Sequence, residues 1–343
     1  MNKLLRFSLA LLCTATLAFQ AGTSFAAQSA EEFYRIHKVT LIIGTKAGGG
    51  ADFGGRLLAK YWKEVTGGDM IVKNMPGAAG VVGLNYMANS VKPDGLTMNI
   101  IMYAEAYLVP CLTKSPVARY DASKFNYIAG CFLEPWFLVQ SEKFKTIDDL
   151  RGKTDLKYGA MLPYGSNSFI ALPLFDTLNL KAKVVTGYQS QPDVQLAVGK
   201  GEIDFTMAGV TQTMRQVDQG VLPRPLLVMD KERCPAVPDV PALPELVKMS
   251  PEQQQLFEKS LMLGVAARML AMPEGVPQDR VQYARKVIRQ IASMPSFDEE
   301  AKKVFLTGGN FMLDDELDAF IKDTFALNFD DMKQILDKYI TVK

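Results

Sequence analysis

Short apolar runs alternate with amphipathic stretches along most of the chain. Runs rich in β-branched and aromatic residues predict strands, and apolar residues spaced three or four apart predict helices. The predicted strands are Val39–Gly44, Met70–Lys73, Leu96–Met102, Asn126–Cys131, Phe137–Gln140, Lys157–Ala160, Lys183–Thr186, Ile203–Ala208 and Leu226–Met229. The predicted helices are Phe53–Val65, Val81–Ser90, Ser168–Leu178, Val194–Gly199 and Thr211–Gln219, with two more over the apolar stripe Val281–Ala292 and from Asp314 onwards. This alternation predicts an α/β fold with mixed, mostly parallel sheets and flanking helices.

Two glycine-rich turns directly follow the first two predicted strands. They read Ala47-Gly48-Gly49-Gly50-Ala51-Asp52 and Asn74-Met75-Pro76-Gly77-Ala78-Ala79-Gly80. A bare turn between a strand and a helix directs unpaired helix N–H groups into a crevice, where an anion is stabilised. Neither turn has the Lys-Ser/Thr pair of a nucleotide-phosphate loop or a G-x-G-x-x-G pattern, which favours a carboxylate over a nucleotide. The alternative is that each turn only reverses the chain.

The N-terminal residues have the pattern of a secretory signal peptide. Lys3 and Arg6 precede the apolar stretch 7–19, and the small-x-small site Ser24-Phe25-Ala26 follows. We therefore expect residues 1–26 to be removed near Ala26 and the mature chain to work in the periplasm. Because Leu12 precedes Cys13, where a lipid-anchor site needs a small residue, we do not expect a lipoprotein.

Length and charge narrow the class of protein further. Removing 26 of the 343 residues leaves about 317, for which two domains are the better expectation. The formal net charge of +1 becomes −1 once Lys3 and Arg6 are lost. A near-neutral chain without another long apolar segment argues against nucleic acid and charged membranes as partners, and we expect a monomer.

Histidine and cysteine are too sparse for most catalytic or metal sites. His37 is the only histidine, which disfavours a Ser-His-Asp triad and a His-ligated zinc site. Cys111, Cys131 and Cys234 show no C-x-x-C spacing. Cys111 and Cys131 pairing as a disulfide, or all three as buried thiols, are both open. We expect no metal and no cofactor.

Several motifs, taken in order, resemble the Bug-type substrate-binding proteins of tripartite tricarboxylate transporters. The first turn with Asp52 and Arg56 is similar to the family's G-G-x-x-D-x-x-x-R. The second resembles N-R-P-G-A-G-G, with Met75 in place of Arg. Further matches are Pro93-Asp94-Gly95-Leu96-Thr97 to P-D-G-Y-T, Tyr188 with Gly201-Glu202-Ile203-Asp204 to P-Y-K-G and G-x-V-D, and the segment Pro238–Glu245 to P-D-V-P-T-x-x-E.

The resemblance implies a two-domain clamshell of the type II-like periplasmic-binding-protein class that delivers a small organic acid to membrane permease subunits. It also implies that backbone groups of the two turns hold the ligand carboxylate, partly through ordered water. The residues matched to this role are Ala47, Gly48, Gly49, Pro76, Gly77, Ala78 and Gly80. We expect residues 33–131 with 229–343 to form one domain and 132–228 the other, with hinges near Cys131 and Met229.

Other candidates have two interpretations each. Asp52 either touches the ligand or a bridging water, or stabilises a helix start and pairs with Arg56 at i+4. Ser166 aligns with a ligand-side serine of the family, and its alternative role is a plain helix N-cap. Thr211 is a weaker candidate of the same kind, and Tyr188 is matched through its motif.

Departures from the family pattern bear on the ligand. The family's usual histidine three residues after the serine is Phe169 here, and its Y-K-G-x-x-P-A loop becomes the segment 188–194, which loses a lysine and gains Asp193. Glu105 lies just past a predicted strand. If Glu105 and Asp193 face the cleft, they favour an amine- or hydroxyl-bearing acid, such as an amino acid, over citrate. The alternative is that they face solvent.

Two rival functions remain at this stage. Glycine-rich turns also form oxyanion holes, but no well-placed base accompanies them, so we expect no enzyme. A ligand-loaded sensor that docks to a membrane signalling partner needs the same clamshell as a transport receptor, and the sequence does not separate the two.

Overall fold

The computed structural model describes residues 28–101, 104–112, 115–188, 190–265 and 268–342. The predicted signal peptide, residues 1–26, lies outside them. In chain order, the strands are β1 Val39–Ile43, β2 Met70–Asn74, β3 Thr97–Ile101, β4 Asn126–Gly130, β5 Trp136–Gln140, β6 Leu156–Gly159, β7 Ala182–Val185, β8 Phe205–Gly209, β9 Val228–Met229, β10 Met269–Met272 and β11 Ile340–Val342.

The helices cover the faces of the sheets. They are α1 Ala30–Ile36, α2 Gly50–Thr66, α3 Val81–Ser90, α4 Ala104–Leu112, α5 Ser166–Ile170, α6 Leu172–Leu178, α7 Gln191–Gly199, α8 Val210–Asp218, α9 Leu243–Leu246, α10 Pro251–Val265, α11 Gln278–Ala292, α12 Pro295–Lys302, α13 Asp314–Phe325 and α14 Phe329–Leu336. No helix within these residues is long and apolar enough to cross a membrane.

The first sheet has the strand order β2-β1-β3-β10-β4. β1 is parallel to β2 and β3, whereas β10 is antiparallel to both β3 and β4. β4 therefore runs in the same direction as the first three strands, and all four have their carboxyl ends at one edge. The helices α2 and α11 pack on this sheet around the fully buried Trp62 and Ile288.

The second sheet has the order β11-β7-β6-β8-β5-β9. β6 is parallel to β7 and β8, and β11 is parallel to β7. β5 is antiparallel to β8 and β9. Its core includes Tyr158, Phe175 and Phe205, whose ring centroids lie 5.1–5.7 Å apart. The predicted α/β architecture of two mixed sheets with flanking helices is confirmed.

The chain divides between the sheets differently from the expected boundaries. The chain crosses to the second sheet after β4, near the hinge expected at Cys131. The return expected near Met229 does not occur there, because β9 pairs with β5 in the second sheet. The helix α10 also packs on α5 and α6, and the return follows it, before β10. A third crossing brings α14 and β11 to the second sheet, because β11 extends that sheet beside β7. Residues 229–265 and 329–342 thus lie with 132–228 rather than with the first sheet.

The three cysteines of the described chain are free thiols. Burial raises the pKa of each, to about 12 for Cys131. Of the two possibilities that the sequence left open, the structure therefore has unpaired thiols, with Cys131 and Cys234 buried and Cys111 half-buried.

Candidate functional site

The crevice between the two sheets lies at the carboxyl ends of their strands. Gly130, the end of β4, pairs with Met269 at the start of β10, and Trp136, the start of β5, pairs with Gly209 at the end of β8. The first passage between the sheets, 131–135, and the return of the chain at the start of β10 therefore lie at carboxyl edges. Ligands of open α/β sheets bind outside this edge, so the crevice is the candidate site.

The first glycine-rich turn is held from behind by Asp52. The buried Asp52 carboxylate accepts hydrogen bonds from the Gly48 N–H and from Nε and Nη2 of Arg56, all at 3.0 Å. The Arg56 hydrogen bond, which outweighs burial, lowers the pKa of Asp52, so it stays ionised. Both carboxylate oxygens are engaged, and this geometry matches the structural interpretation of Asp52. The Gly48 N–H thus has a partner within the protein, and the expected role of Gly48 in holding the ligand stays a prediction.

Other donors of this turn remain directed outwards. Helix α2 begins after Gly49, which provides no side-chain cap. Helix geometry gives no internal partner to the N–H groups of Gly50, Ala51 and Asp52. Ala47, Gly48 and Gly49 are all exposed, so a ligand can approach the backbone closely.

The second turn packs directly against the first. A Cβ on Gly44 would lie 2.7 Å from the Cα of Gly80, so only glycine permits this contact between the two backbones. The Asn74 amide also donates to the Thr45 carbonyl at 3.1 Å. The two turns thus form one continuous surface, with Gly80 buried inside it as a packing residue and Pro76, Gly77 and Ala78 exposed.

The backbone of the second turn needs its glycines. Gly77 has φ 139° and ψ 140°, and Ala78 and Gly80 also have positive φ. A Cβ on Gly77 would come within 2.8 Å of Val82 Cγ2. Neither Gly77 nor Gly80 supplies a side-chain cap to the helical turns that follow. A positive-φ turn before uncapped helix N–H groups forms a concave anion-binding surface.

On the second sheet, two more helices begin after uncapped glycines. Gly165 precedes α5, and Gly209 precedes α8. Gly165 rather than Ser166 is therefore the N-cap, so the alternative role expected for Ser166 is corrected. Ser166 is the first residue of α5 and is buried. Asn167 Nδ2 and Ser168 Oγ beside it are buried without a hydrogen-bond partner among the described residues.

Thr211 is engaged within the protein. Its hydroxyl donates to the Glu134 carboxylate, and its Oγ1 accepts a hydrogen bond from the Leu306 N–H at 2.9 Å. Thr211 thus joins α8 to the first passage and to a loop of the first sheet's half, and its expected ligand role stays a prediction. Glu134, which no sequence motif singled out, also pairs with Arg268 at 2.7 Å.

The other residues that the sequence singled out are Tyr188, Asp193, Glu105 and Phe169. Tyr188 is half-buried and packs against the apolar cluster under α7, and burial raises its pKa. Asp193 is exposed in the first turn of α7 and accepts from Ser190 Oγ at 2.7 Å, as the solvent-facing alternative expects. Glu105 is the second residue of α4, and its side chain lies outside what the structure describes. Phe169 packs on Phe329 in the core, with ring centroids 4.7 Å apart.

Comparison with known proteins agrees with this architecture. Residues 55–328 match the family model for the tripartite tricarboxylate transporter family receptor. A Cupriavidus necator protein described as a UPF0065 protein in the gbd 5′ region is 28% identical over 304 residues, which cover 85% of each chain. Protein BugT of Bordetella pertussis is 24% identical over 66% of this chain and 71% of its own.

Solved structures share the fold at lower identity. A TctC solute-binding protein from Polaromonas has a TM-score of 0.64 at 19% identity, covering 88% of this chain and 98% of that one. An R. palustris protein solved with adipate has a TM-score of 0.67 at 16% identity, covering 89% and 98%. MatC of Rhodopseudomonas palustris, with bound malate, has a TM-score of 0.62 at 17% identity, covering 88% and 99%. These likenesses confirm the periplasmic-binding-protein fold, and the family match shows that the chain belongs to the tripartite tricarboxylate transporter receptor family.

Proposed function

We propose that this protein is a periplasmic receptor that captures a small organic carboxylate and delivers it to membrane permease subunits. The observation that supports this best is the surface formed by the two glycine-rich turns. There, backbone donors at two neighbouring helix starts converge without a side-chain cap. Such a surface favours a carboxylate because helix N-termini stabilise negative charge, and neither turn has the Lys-Ser/Thr pair of a nucleotide-phosphate loop.

The ligands of fold neighbours support the same class. Adipate and malate are the molecules named with two of the solved structures. Both are carboxylates small enough for a crevice between two domains. For the present chain we propose a carboxylate anchored at the first sheet's turns, while the second sheet's half sets which carboxylate is preferred.

Binding and transfer, rather than catalysis, is the activity we propose. The His37 ring bonds to the Phe33 carbonyl at 2.9 Å and lies tilted against the Phe33 ring, at the opposite end of β1 from the first glycine-rich turn. The raised pKa values of the cysteine thiols disfavour a thiolate nucleophile. An acyl-transfer reaction therefore has no evident base or activated nucleophile among these groups.

A ligand screen tests the proposal directly. Thermal unfolding of the mature protein should be measured with a panel of mono- and dicarboxylates, amino acids and nucleotides. A true ligand at 100 times its Kd adds about 2.7 kcal/mol to the free energy of unfolding. Stabilisation by carboxylates and not by nucleotides is the expected result, and a panel in which no carboxylate stabilises the protein would contradict it.

A paired glycine substitution locates the binding surface. Gly77→Val should weaken carboxylate binding at least tenfold, about 1.4 kcal/mol, because the side chain blocks close approach and disfavours φ 139°. Gly152→Val is the matched control, since Gly152 also has a positive φ of 70° but lies in an open turn between β5 and β6. Calorimetry on both folded variants should show loss only for Gly77→Val; equal affinities would remove this turn from the site.

A further inference from the structure

The second half of the crevice contains a carboxylate of the protein itself at a helix start. Glu134 lies in the first passage between the sheets, and its side chain is only 4% exposed. A Cβ on Gly209, the residue that precedes α8, would lie 3.3 Å from Glu134 Oε2. The Glu134 carboxylate therefore lies beside the start of α8, whose first N–H group, that of Val210, donates to the Pro135 carbonyl.

The surrounding contacts fix this carboxylate in place. Arg268 Nη2 donates to Glu134 Oε2 at 2.7 Å, while Nη1 of the same guanidinium donates to the Phe132 carbonyl. The Arg268 guanidinium also lies over the Phe305 ring, 5.2 Å from its centroid. These contacts come from the first passage, from the residue before β10 and from a loop of the first sheet's half, so the pair is held from several sides.

Thr211 orients the other carboxylate oxygen. Thr211 Oγ1 accepts a hydrogen bond from the Leu306 N–H and donates its own hydrogen to Glu134 Oε1. The Thr211 hydroxyl belongs to the first turn of α8, and Glu134 rather than a ligand engages it.

We propose that Glu134 determines specificity by excluding a second ligand carboxylate from the α8 end of the crevice. The proposal rests on the proposed function, in which one carboxylate is anchored at the glycine-rich turns. A second carboxylate near α8 finds the Arg268 guanidinium and the Thr211 hydroxyl already engaged by Glu134, whereas a neutral or ammonium-bearing end needs neither donor. The receptor therefore prefers monocarboxylates, with a neutral or cationic distal end, over dicarboxylates of the same length.

The test uses straight-chain acids of four to eight carbons in matched pairs, such as hexanoate, 6-aminohexanoate and adipate. Calorimetry should give tighter binding of the monocarboxylate or amino acid than of the dicarboxylate of equal length by the wild-type protein. Glu134→Gln should shift the dicarboxylate-to-monocarboxylate affinity ratio at least tenfold towards the dicarboxylate. The control Glu142→Gln changes an exposed glutamate that pairs with nearby Lys145, and should leave the ratio unchanged.

A second variant keeps the test decisive if Glu134→Gln is unstable. The double substitution Glu134→Gln with Arg268→Gln removes both charges together and leaves no unpaired guanidinium. It should shift the ratio in the same direction but by less, because the glutamine amides can donate to a second carboxylate whereas the guanidinium is lost. A wild type that binds carboxylates with dicarboxylates preferred, and an unchanged ratio in both variants, would overturn the role of Glu134 while leaving the receptor function intact. A wild type that binds no carboxylate at all would overturn the proposed function, and this inference with it.

Discussion

The two halves of the crevice use their helix starts in opposite ways. On the first sheet, Asp52 accepts from Gly48 of the first turn, and Asn74 of the second turn donates to Thr45, leaving the exposed backbone open. On the second sheet, Glu134 and Thr211 lie at the start of α8 and engage it. The first half is thus organised for any carboxylate, whereas the second half already contains one. A common anchor combined with a variable opposite wall is how one fold can serve different ligands.

The largest effect should come from breaking the ion pair of the second half. Arg268→Ala leaves the buried Glu134 carboxylate without its guanidinium, which should cost about 3 kcal/mol in the free energy of unfolding. Chemical denaturation gives the measurement. The double variant with Glu134→Gln should recover most of the loss, and a single variant as stable as the wild type would show that the pair is not the support we describe.

A smaller effect is expected from the support of the first half. Asp52→Asn removes the charge that holds Gly48 and Arg56, and we expect a loss of about 1 kcal/mol, because Arg56 is half exposed and solvent screens the pair. Carboxylate affinity should fall as well, since the turn loses its fixed shape. Melting curves and calorimetry on the same variant separate the two effects.

The Asp52 contribution should also depend on pH. Its pKa is lowered from an ordinary value of 3.8 by the Arg56 hydrogen bond. A lowered folded-state pKa means that this stabilisation is fully present above the unfolded value and is lost as pH falls through the folded value. The stability difference between wild type and Asp52→Asn should therefore be constant near neutral pH and shrink below about pH 4. A difference that grows on acidification would contradict the assignment.

The smallest effect should come from Asp193. Its carboxylate is exposed and bonds to Ser190 in the first turn of α7. Asp193→Asn should change ligand affinity by less than about 0.5 kcal/mol for mono- and dicarboxylates alike. A change in preference comparable to that of Glu134→Gln would show that Asp193, in the first turn of α7, also determines specificity.

The sequence predicted the first half of the site much better than the second. The glycine-rich turns are local: each follows its own strand, and the positive φ at Gly77 and the close packing at Gly80 need glycine. Glu134 and Arg268, in contrast, are 134 residues apart and belong to no short motif. Only the folded crossings bring them together, so nothing local distinguished Glu134 from a surface acid.

The same distinction applies to the fold. Nine apolar runs correctly predicted strands β1 to β9, because each run is continuous in sequence. β10, Met-Leu-Ala-Met, lacks β-branched residues and inserts antiparallel between β3 and β4, and β11 has only three residues. Neither has a strong local signal, and both are stabilised by pairing with strands far away in the chain. Because β11 was not predicted, the expected boundaries assigned residues 329–342 to the first sheet's half, whereas β11 lies in the second sheet.

The pairing of β11 with β7 has a practical consequence for measurement. Helix α1 packs on the first sheet's half, where Tyr34 contacts Trp62 and Tyr283, whereas Ile340–Val342 lies in the second sheet. The two ends of the folded chain therefore report on different halves of the clamshell. Donor and acceptor fluorophores attached outside α1 and β11 would convert any rotation of one half against the other into a change in energy transfer, without a label near the crevice.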